Sequence, residues 1–265
     1  VTGVQTCALP IFDIGGTFTD LTVFDTRRHE LMAVKCLTSY EDFILAVDQC
    51  MSALGLTMAD AISFKHGTTL VINALLERKG ARTVLLTTRG FRDVLEIARG
   101  NRALPFQMHY RKSDPLITRE WRFEIDERVD AQGHVLRAPD LDELDQHIDS
   151  WKKQGVESVA ISFINAYANA ANEKIVQDHL RHRCPEWFIT SGSGLSREWY
   201  EYERTATASA NAFVGPQVGH YVQRLDQALN ERRYQSGRYF MGSGSGVIDF
   251  ETARAEPVRL VESEI

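Results

Sequence analysis

The chain has 265 residues, of which 43% are apolar, 25% charged and 9% aromatic, proportions that exclude disordered, collagen-like and disulfide-scaffold classes. Its 30 basic and 36 acidic residues leave a formal net charge of −6, which argues against a broad nucleic-acid-binding face and turns attention to small-molecule chemistry. No apolar run reaches the roughly 18 residues of a membrane helix, and no signal peptide is legible, so a cytoplasmic chain that engages neither nucleic acid nor membrane is expected.

Taken in chain order, Ile11 to Phe24 reads as a strand, a turn at Gly15-Gly16 and a second β-rich run ending at Asp25-Thr26, which is a hairpin. Leu31 to Lys35 is a third strand. From Asp42 to Leu54 the apolar residues Phe43, Ala46, Val47, Cys50, Met51 and Leu54 fall on one helix face, and Gly55 stops it. A strand over Ala61–Lys65 leads into His66-Gly67-Thr68-Thr69 and then a helix that passes Leu75 and Leu76 and ends at Lys79-Gly80. A buried strand is predicted over Thr83–Thr87 and a helix over Phe91–Ala98.

The stretch from Asn101 to Asp140 reads as an inserted or peripheral β region, with β-type runs at Trp121–Ile125 and His134–Leu136 and a turn at Asp130–Gly133. A helix over Leu141–Lys153, a buried strand over Ser158–Ile164 and a helix over Ala170–Arg181 follow. This alternation predicts an α/β layered sheet. Ser196 to Arg232 is helical in pattern with a break expected at Gly215-Pro216, because Pro lacks the backbone donor and disfavours helix in the residue before it. Here the chain is expected to divide, into a domain over 12–195 and the start of a second over 196–265. Arg238–Met241 is a strand, Phe250–Ala255 a helix, and Gly242-Ser-Gly-Ser-Gly246 a short low-complexity tract. The four cysteines, Cys7, Cys36, Cys50 and Cys184, form no CxxC or zinc-finger spacing, so reduced thiols are expected.

The segment richest in chemistry is Asp13-Ile-Gly-Gly-Thr-Phe-Thr-Asp20. Paired glycines let backbone N–H groups approach a phosphate, Thr17 and Thr19 add hydroxyl donors, and an adjacent carboxylate can hold Mg²⁺ through water. The spacing is neither a P-loop nor a Rossmann fingerprint. Read alone, the same residues also describe a plain hairpin turn with solvated acids.

Around this segment the chain resembles the hydantoinase A/5-oxoprolinase family. The likeness is carried by Asp13 to Asp20, His66-Gly-Thr-Thr69, Asn73-Ala-Leu-Leu-Glu-Arg-Lys-Gly80, Thr87-Thr-Arg-Gly-Phe-Arg-Asp-Val-Leu-Glu96 and Glu127-Arg-Val-Asp130. It continues through Tyr167-Ala-Asn169, Glu201-Tyr-Glu-Arg-Thr205 and Asn211-Ala-Phe-Val-Gly-Pro216. The resemblance implies a ribonuclease-H-like α/β fold of the actin, Hsp70 and sugar-kinase type. It also implies an ATP- and Mg²⁺-dependent hydrolase that phosphorylates the carbonyl of a cyclic amide to drive ring opening. Two alternatives stay open: the ATP-binding subunit of an acetone-carboxylase-like enzyme, and a nucleotide-binding regulator without turnover. A hydantoinase-B-like partner subunit and an oligomeric full-length protein are further expectations.

The resemblance assigns roles by position. Asp13 anchors Mg²⁺ through water; Gly15, Gly16 and Thr17 hold phosphate oxygens; Thr19 and Asp20 complete the loop or the outer metal shell. His66, Gly67, Thr68 and Thr69 contact substrate or transferred phosphate, with His66 and Thr68 in catalytic roles. The bland alternatives are a histidine satisfied between sheet and helix and a threonine N-cap. Asn73, Arg99 and Arg102 are weaker substrate candidates. Glu203 and Arg204 are expected to form a structural ion pair, and Asp140 to start a helix rather than bind metal.

Two departures from the family pattern stand at the ends. Val1 to Ile11 replaces the expected hydrophobic strand and places Pro10 where an interior strand would need a donor, so residues 1–11 are expected to be a non-native leader. After Val261 the family's glycine-rich continuation is missing, so the chain is expected to be an inactive N-terminal fragment.

Overall fold

The hairpin read from the sequence is present, as β1 (Ala8–Ile14) and β2 (Phe18–Asp25) in an antiparallel pair with Asp13 opposite Asp20. The structure is a computed structural model and describes residues 8–15, 17–38, 43–102, 106–244 and 246–262. Contrary to the expectation for Pro10, Ala8 to Ile11 join β1, and Pro10 is a buried residue opposite Val23. The ladder on the other side of β1 becomes continuous only at Ile11, so the missing N–H falls before it. A third strand, β3 (Glu30–Leu37), extends the meander. Helix α1 (Phe43–Ala53) packs on β2 and β3 through the predicted Ala46, Val47, Cys50 and Met51, all buried. Gly55, at φ +69°, ends it in a conformation that glycine adopts without strain. Strand β4 (Ser63–Thr68) runs three residues past its predicted end and passes directly into α2 (Leu70–Leu76).

After Glu77 the chain enters a second compact unit, Arg78–Pro216, and returns to the first at Gln217. The second unit comprises β5 (Thr83–Thr88), α3 (Val94–Ile97), β6 (Arg122–Ile125), β7 (Arg128–Val129), β8 (Val135–Arg137), α4 (Leu141–Lys153), β9 (Ser158–Ser162), α5 (Ala171–Arg183), β10 (Phe188–Ser191), α6 (Gly192–Leu195) and the first half of α7 (Glu201–Glu231). Its sheet is wholly parallel, in the order β10-β9-β5-β6. Every residue of β5 and β9 is buried, as expected of strands in the middle of a parallel sheet. On one face Leu144, Ile148 and Trp151 of α4 and Val176 and Leu180 of α5 join Val84, Leu86, Val159 and Ile161 in one core.

Three expectations fail in this unit. The run at Trp121–Ile125 is not peripheral: β6 is hydrogen-bonded to β5, and only β7 and β8 form a separate two-stranded ribbon. The helix predicted over Phe91–Ala98 shrinks to α3, which Ala98 terminates at φ +51°. The break at Gly215-Pro216 is absent and α7 continues through Pro216. A mid-helix proline costs about 3 kcal/mol, but α7 buries Ala208, Ala212 and Val214 before it and Val218, Val222 and Leu225 after it. Such packing stabilises a helix more than local propensity does. The boundary expected at 195/196 lies inside the second unit.

Polar side chains hold the β7–β8 ribbon. Asn165, Asn169 and Asn172 donate from their amide nitrogens to the carbonyls of Val129, Gly133 and Arg137 at 2.9, 2.8 and 2.9 Å. Beside them Glu173, 1% exposed, accepts from the backbone of Phe163 at 2.8 Å and from the backbone and hydroxyl of Ser193 at 2.9 and 2.5 Å. Arg204, with no exposure, donates to the carbonyls of Phe163 and Glu198 and to Glu201. The expected Glu203–Arg204 pair does not form, because these neighbours point apart along α7: Glu203 binds Arg99 instead. Asp140 caps α4 by accepting from Glu143 N, as expected of a helix start.

The chain then completes the first unit with β11 (Gly237–Met241), β12 (Val247–Asp249) and α8 (Phe250–Ala255). The finished sheet has the order β12-β11-β4-β1-β2-β3, with β4 parallel to β1 and β11 parallel to β4. An antiparallel meander continued by parallel strands is the ribonuclease-H-like arrangement expected from the sequence. An aromatic layer of Phe12, Phe64, His66, Phe240 and Phe250 covers one face of this sheet.

Replacing Glu173 by Ala strands the buried Phe163 N–H and the part-buried Ser193 N–H, at about 1–3 kcal/mol for a fully buried group. The Glu173→Ala chain is expected to lose about 3 kcal/mol in urea denaturation; a loss under about 1 kcal/mol would mean that Glu173 does not brace this end of the sheet.

Candidate functional site

Parallel strands end on the same edge of a sheet, and that edge is where ligands bind in α/β proteins. In the first unit β1, β4 and β11 end together: Asp13 is level with Gly67, Ile14 with Thr68, and His66 with Phe240. At and after these strand ends stand Gly15 and Thr17, Thr68 and Thr69, and Gly242, Ser243, Gly244 and Gly246. The first two are the segments singled out in the sequence. The third is the low-complexity tract of the sequence, and its signal is the set of glycines directly after a strand.

The glycine turn is tighter than a simple phosphate cradle. The Gly15 N–H is spent within the hairpin on Phe18 O at 3.0 Å, and a Cβ at Gly15 would sit 3.2 Å from the same oxygen. Gly15 therefore shapes the turn and does not offer its amide outward, a correction to its expected role. Gly16 lies outside the described residues. Thr17 is exposed, while Thr19 is fully buried with its hydroxyl 3.0 Å from that of Thr38. Thr19 thus braces the loop from inside and cannot present its hydroxyl to a phosphate.

Thr38, which sequence reasoning missed, is the clamp of this loop. Its hydroxyl donates to Gly15 O at 3.0 Å and its amide to Thr17 O at 3.0 Å. The predicted third strand ends at Lys35, two residues before the true end of β3, so Thr38 lies outside every predicted element.

Asp13 and Asp20 are directly opposed across the β1–β2 pair, and opposed residues of an antiparallel pair share a face of the sheet. Lys35 stands 3.1 Å from Asp20 and offsets part of that charge. Paired carboxylates suit a hard cation that takes its remaining ligands from water and phosphate. Among the described residues, no group of three or more His, Cys, Asp or Glu side chains is placed to hold a metal by itself.

On β4, His66 has no exposure, and it cannot reach a ligand from inside the aromatic layer. Its Nδ1 lies 3.3 Å from Phe12 O and its Nε2 2.5 Å from the Tyr221 hydroxyl. A carbonyl only accepts, so Nδ1 carries the proton and Nε2 accepts from Tyr221. Burial holds the imidazole down to about 4 and pushes the Tyr221 phenol up, so both stay neutral. The catalytic role expected for His66 thus gives way to the satisfied-histidine alternative. Gly67 and Thr68 are buried, and Thr68 Oγ1 accepts from Leu70 N at 3.2 Å. Thr69 is half-buried, and its hydroxyl accepts from the exposed Asn73 amide at 3.2 Å.

Arg99 and Arg102 belong to the second unit and are exposed. Arg99 pairs with Glu203 and lies 4.9 Å from the centre of the Tyr200 ring, so its charge is already engaged. Asp130 accepts from His134 Nδ1 at 2.9 Å and caps its own turn.

The third loop is pinned from behind. Ser243 N and Oγ both donate to Arg259 O at 2.8 Å, and Gly242 N donates to Gly246 O at 3.0 Å. Gly244 has no positive φ, and a Cβ built on it meets nothing within 4 Å among the described residues. Neither backbone conformation nor packing calls for glycine there.

A mixed sheet whose parallel strands end in a clamped glycine turn, with opposed carboxylates beside it, defines an α/β protein of the ribonuclease-H-like class. The chain belongs to the family described as the hydantoinase/oxoprolinase N-terminal region, which matches residues 11–184. It is 32% identical over 255 residues to the caprolactamase subunit alpha of Pseudomonas jessenii, covering 91% of this chain and 36% of that protein. The crystal structure of the ATP-dependent caprolactamase from the same organism superposes with a TM-score of 0.85 at 30% identity, over 96% of this chain and 38% of that one. A nucleotide-free acetone carboxylase shares the fold, with a TM-score of 0.83 at 19% identity over 97% of this chain and 39% of that one. The chain thus spans less than two fifths of the length of each of these proteins.

His66 makes a definite contribution to acid sensitivity. Its value is near 6.5 when unfolded and about 4 when folded, so the unfolded chain binds the extra proton first. Stability from this group is full above about pH 6.5 and falls by about 3 kcal/mol as pH drops to 4. Thermal denaturation from pH 7 to 4 is expected to fall more steeply for the wild type than for His66→Gln, which does not titrate; parallel curves would contradict a buried neutral His66.

Proposed function

We propose that this chain is the nucleotide-binding N-terminal part of an ATP-dependent hydrolase of cyclic amides. The observation that carries the reading is the convergence of the clamped Gly15–Thr17 turn, the opposed Asp13 and Asp20, and the Gly67–Thr69 junction at one sheet edge. Family membership and the likeness to an ATP-dependent caprolactamase support it.

An amide carbonyl is a weak electrophile, and this chemistry supplies a leaving group. The amide oxygen bonds to the γ-phosphorus of ATP, the β–γ bridging P–O bond breaks, and ADP departs. Water adds to the activated carbon and the ring C–N bond breaks, the nitrogen taking the proton. A second water releases phosphate from the acyl phosphate, leaving the open amino acid. Such transfer depends on positioning and on neutralising phosphate charge.

Asp13, with Asp20 behind it, would hold Mg²⁺ through water, and the ion would neutralise phosphate charge when bound. Thr17 supplies an exposed hydroxyl to phosphate oxygen, and Thr69 lies at the adjacent junction. Thr19 and Thr38 keep the turn in shape from below. Gly244 leaves space at the third loop for nucleotide or substrate. His66 positions the strand and touches no ligand. Asn73, Arg99 and Arg102 keep only a peripheral place in this reading. A B-type partner subunit and an oligomeric assembly belong to the same proposal, in keeping with the subunit naming of the caprolactamase relative. The carboxylase alternative is supported by the fold shared with acetone carboxylase at 19% identity and by 29% identity to the acetophenone carboxylase gamma subunit of Aromatoleum aromaticum, and the product assay on the full-length enzyme separates it from ring opening.

In the full-length enzyme Asp13→Asn is expected to fold normally and to lose at least about a hundredfold in ATP-dependent ring opening, as removal of a transition-state charge anchor does. Wild-type turnover would take Asp13 out of the mechanism. Gly244→Val is expected to leave the melting temperature unchanged and raise the KM for ATP or for the amide about tenfold, a loss of about 1.4 kcal/mol. If both constants stay at the wild-type values, the third loop is not part of the site.

A further inference from the structure

The first unit contains a polar device that the proposed reaction does not use. In its aromatic layer, where Phe12, Phe64, Phe240 and Phe250 would be served by another apolar neighbour, stand a histidine and a tyrosine. His66 has no exposure and Tyr221 is 8% exposed. Burying an imidazole and a phenol is unfavourable unless each polar atom is satisfied. Here the chain of bonds is directional: the Tyr221 hydroxyl donates to Nε2 over 2.5 Å, and Nδ1–H donates to Phe12 O over 3.3 Å. That carbonyl belongs to the peptide bond joining Phe12 to Asp13.

We infer that Tyr221 and His66 are positioning residues, a buried hydrogen-bond chain that sets the end of β1 and thereby the orientation of Asp13 and the glycine turn. The inference rests on the nucleotide reading of that turn and deepens it.

The placement favours this role over simple core filling. His66 is the cross-strand partner of Phe12 in the β1–β4 ladder, and Asp13 is level with Gly67 in the same register. Gly67 has no side chain to hold Asp13 from β4. The N-terminal peptide of Asp13 carries the carbonyl that His66 grips, so His66 acts on the backbone that leads into Asp13. Tyr221, on the part of α7 that belongs to this unit, fixes the imidazole rotation and tautomer. A histidine whose ring is oriented by a second group transmits that orientation to whatever its other nitrogen holds, the logic by which outer partners orient metal-ligating histidines.

A core-filling role and a positioning role separate when both polar groups are removed together. An apolar pair of similar size is nearly neutral for stability, so the double variant His66→Leu/Tyr221→Phe keeps the core and loses the grip on Phe12. In His66→Asn/Tyr221→Phe the amide nitrogen stands near the Nδ1 position and can donate to Phe12 O again. The assay uses the full-length enzyme: Mg·ATP binding by calorimetry, steady-state KM and kcat, and melting temperature.

Wild type is measured first. Failure of the wild type to bind Mg·ATP would overturn the nucleotide reading, and this inference with it. Given binding, the Leu/Phe variant is expected to melt within a few degrees of wild type yet bind Mg·ATP about tenfold more weakly, with the change in KM rather than kcat. The Asn/Phe variant is expected to recover to within about threefold of wild type. Wild-type affinity in the Leu/Phe variant, or equal weakening of both double variants, would reduce the pair to core filling while leaving the nucleotide reading intact. Should the Leu/Phe variant fail to fold, Tyr221→Phe alone carries the test, and unchanged Mg·ATP affinity in it would overturn the inference.

Discussion

The parallel pairing of β1 with β4 is the constraint on which the site depends. With Asp13 level with Gly67 and Ile14 level with Thr68, a hairpin turn and a strand-to-helix junction separated by some fifty residues of chain become neighbours at one edge. A shift of one residue would turn Phe12 outward and carry Asp13 into the core, because side chains alternate along a strand. The burial of Phe12 against Phe64, and of Phe240 against His66 and Phe250, resists that shift. The same apolar layer that stabilises the sheet thus selects the face on which the carboxylates stand.

The second unit solves a different problem. Its central strands are buried throughout and need no alternation, but the ribbon of β7 and β8 and the loops after β9 and β10 are held by polar groups. Asn165, Asn169, Asn172 and Glu173 each satisfy backbone groups of a segment distant in sequence. Burial raises the Glu173 carboxyl above the usual carboxylate range, while the bonds from Ser193 and Phe163 oppose that rise. Such a network is strong when complete and weak when any member is lost. The family-like blocks at Glu127, Tyr167–Asn169 and Glu201–Thr205 therefore read here as scaffold: Glu127 accepts from Thr88 and Asn172, and Glu201 from Asn165 N and Arg204.

Much of the fold was legible because its signals are local. The hairpin, α1, α4, α5 and α8 follow from period, caps and glycine stops, and α4 and α8 match their predicted limits residue for residue. The misreadings share a cause. Trp121 to Ile125 looks peripheral because its neighbours in sequence are charged, yet β6 pairs with a strand some forty residues earlier. Pro216 looks like a break because its effect on the backbone is local, whereas the packing that overrides it is not. At the candidate site, the turn that carries Asp13, Gly15 and Thr17 was legible from its glycine pair. Thr38 was not, since nothing in a threonine after a strand says that it will fold back on Gly15.

The sequence by itself determined which residue types could meet a phosphate and the turn that carries them, because glycine pairs, caps and hydrophobic periods act within a few residues, and its ordered motif blocks carried the resemblance to the family. Only the tertiary structure decided which of those residues face outward. Thr19 and His66 looked like ligands and are buried, and the Gly15 amide looked free and is bonded to Phe18. Thr38, Tyr221 and the loop at Gly244 gained their places by strand register. Register is a property of pairs of distant segments, set by which faces bury together, and no single segment carries it.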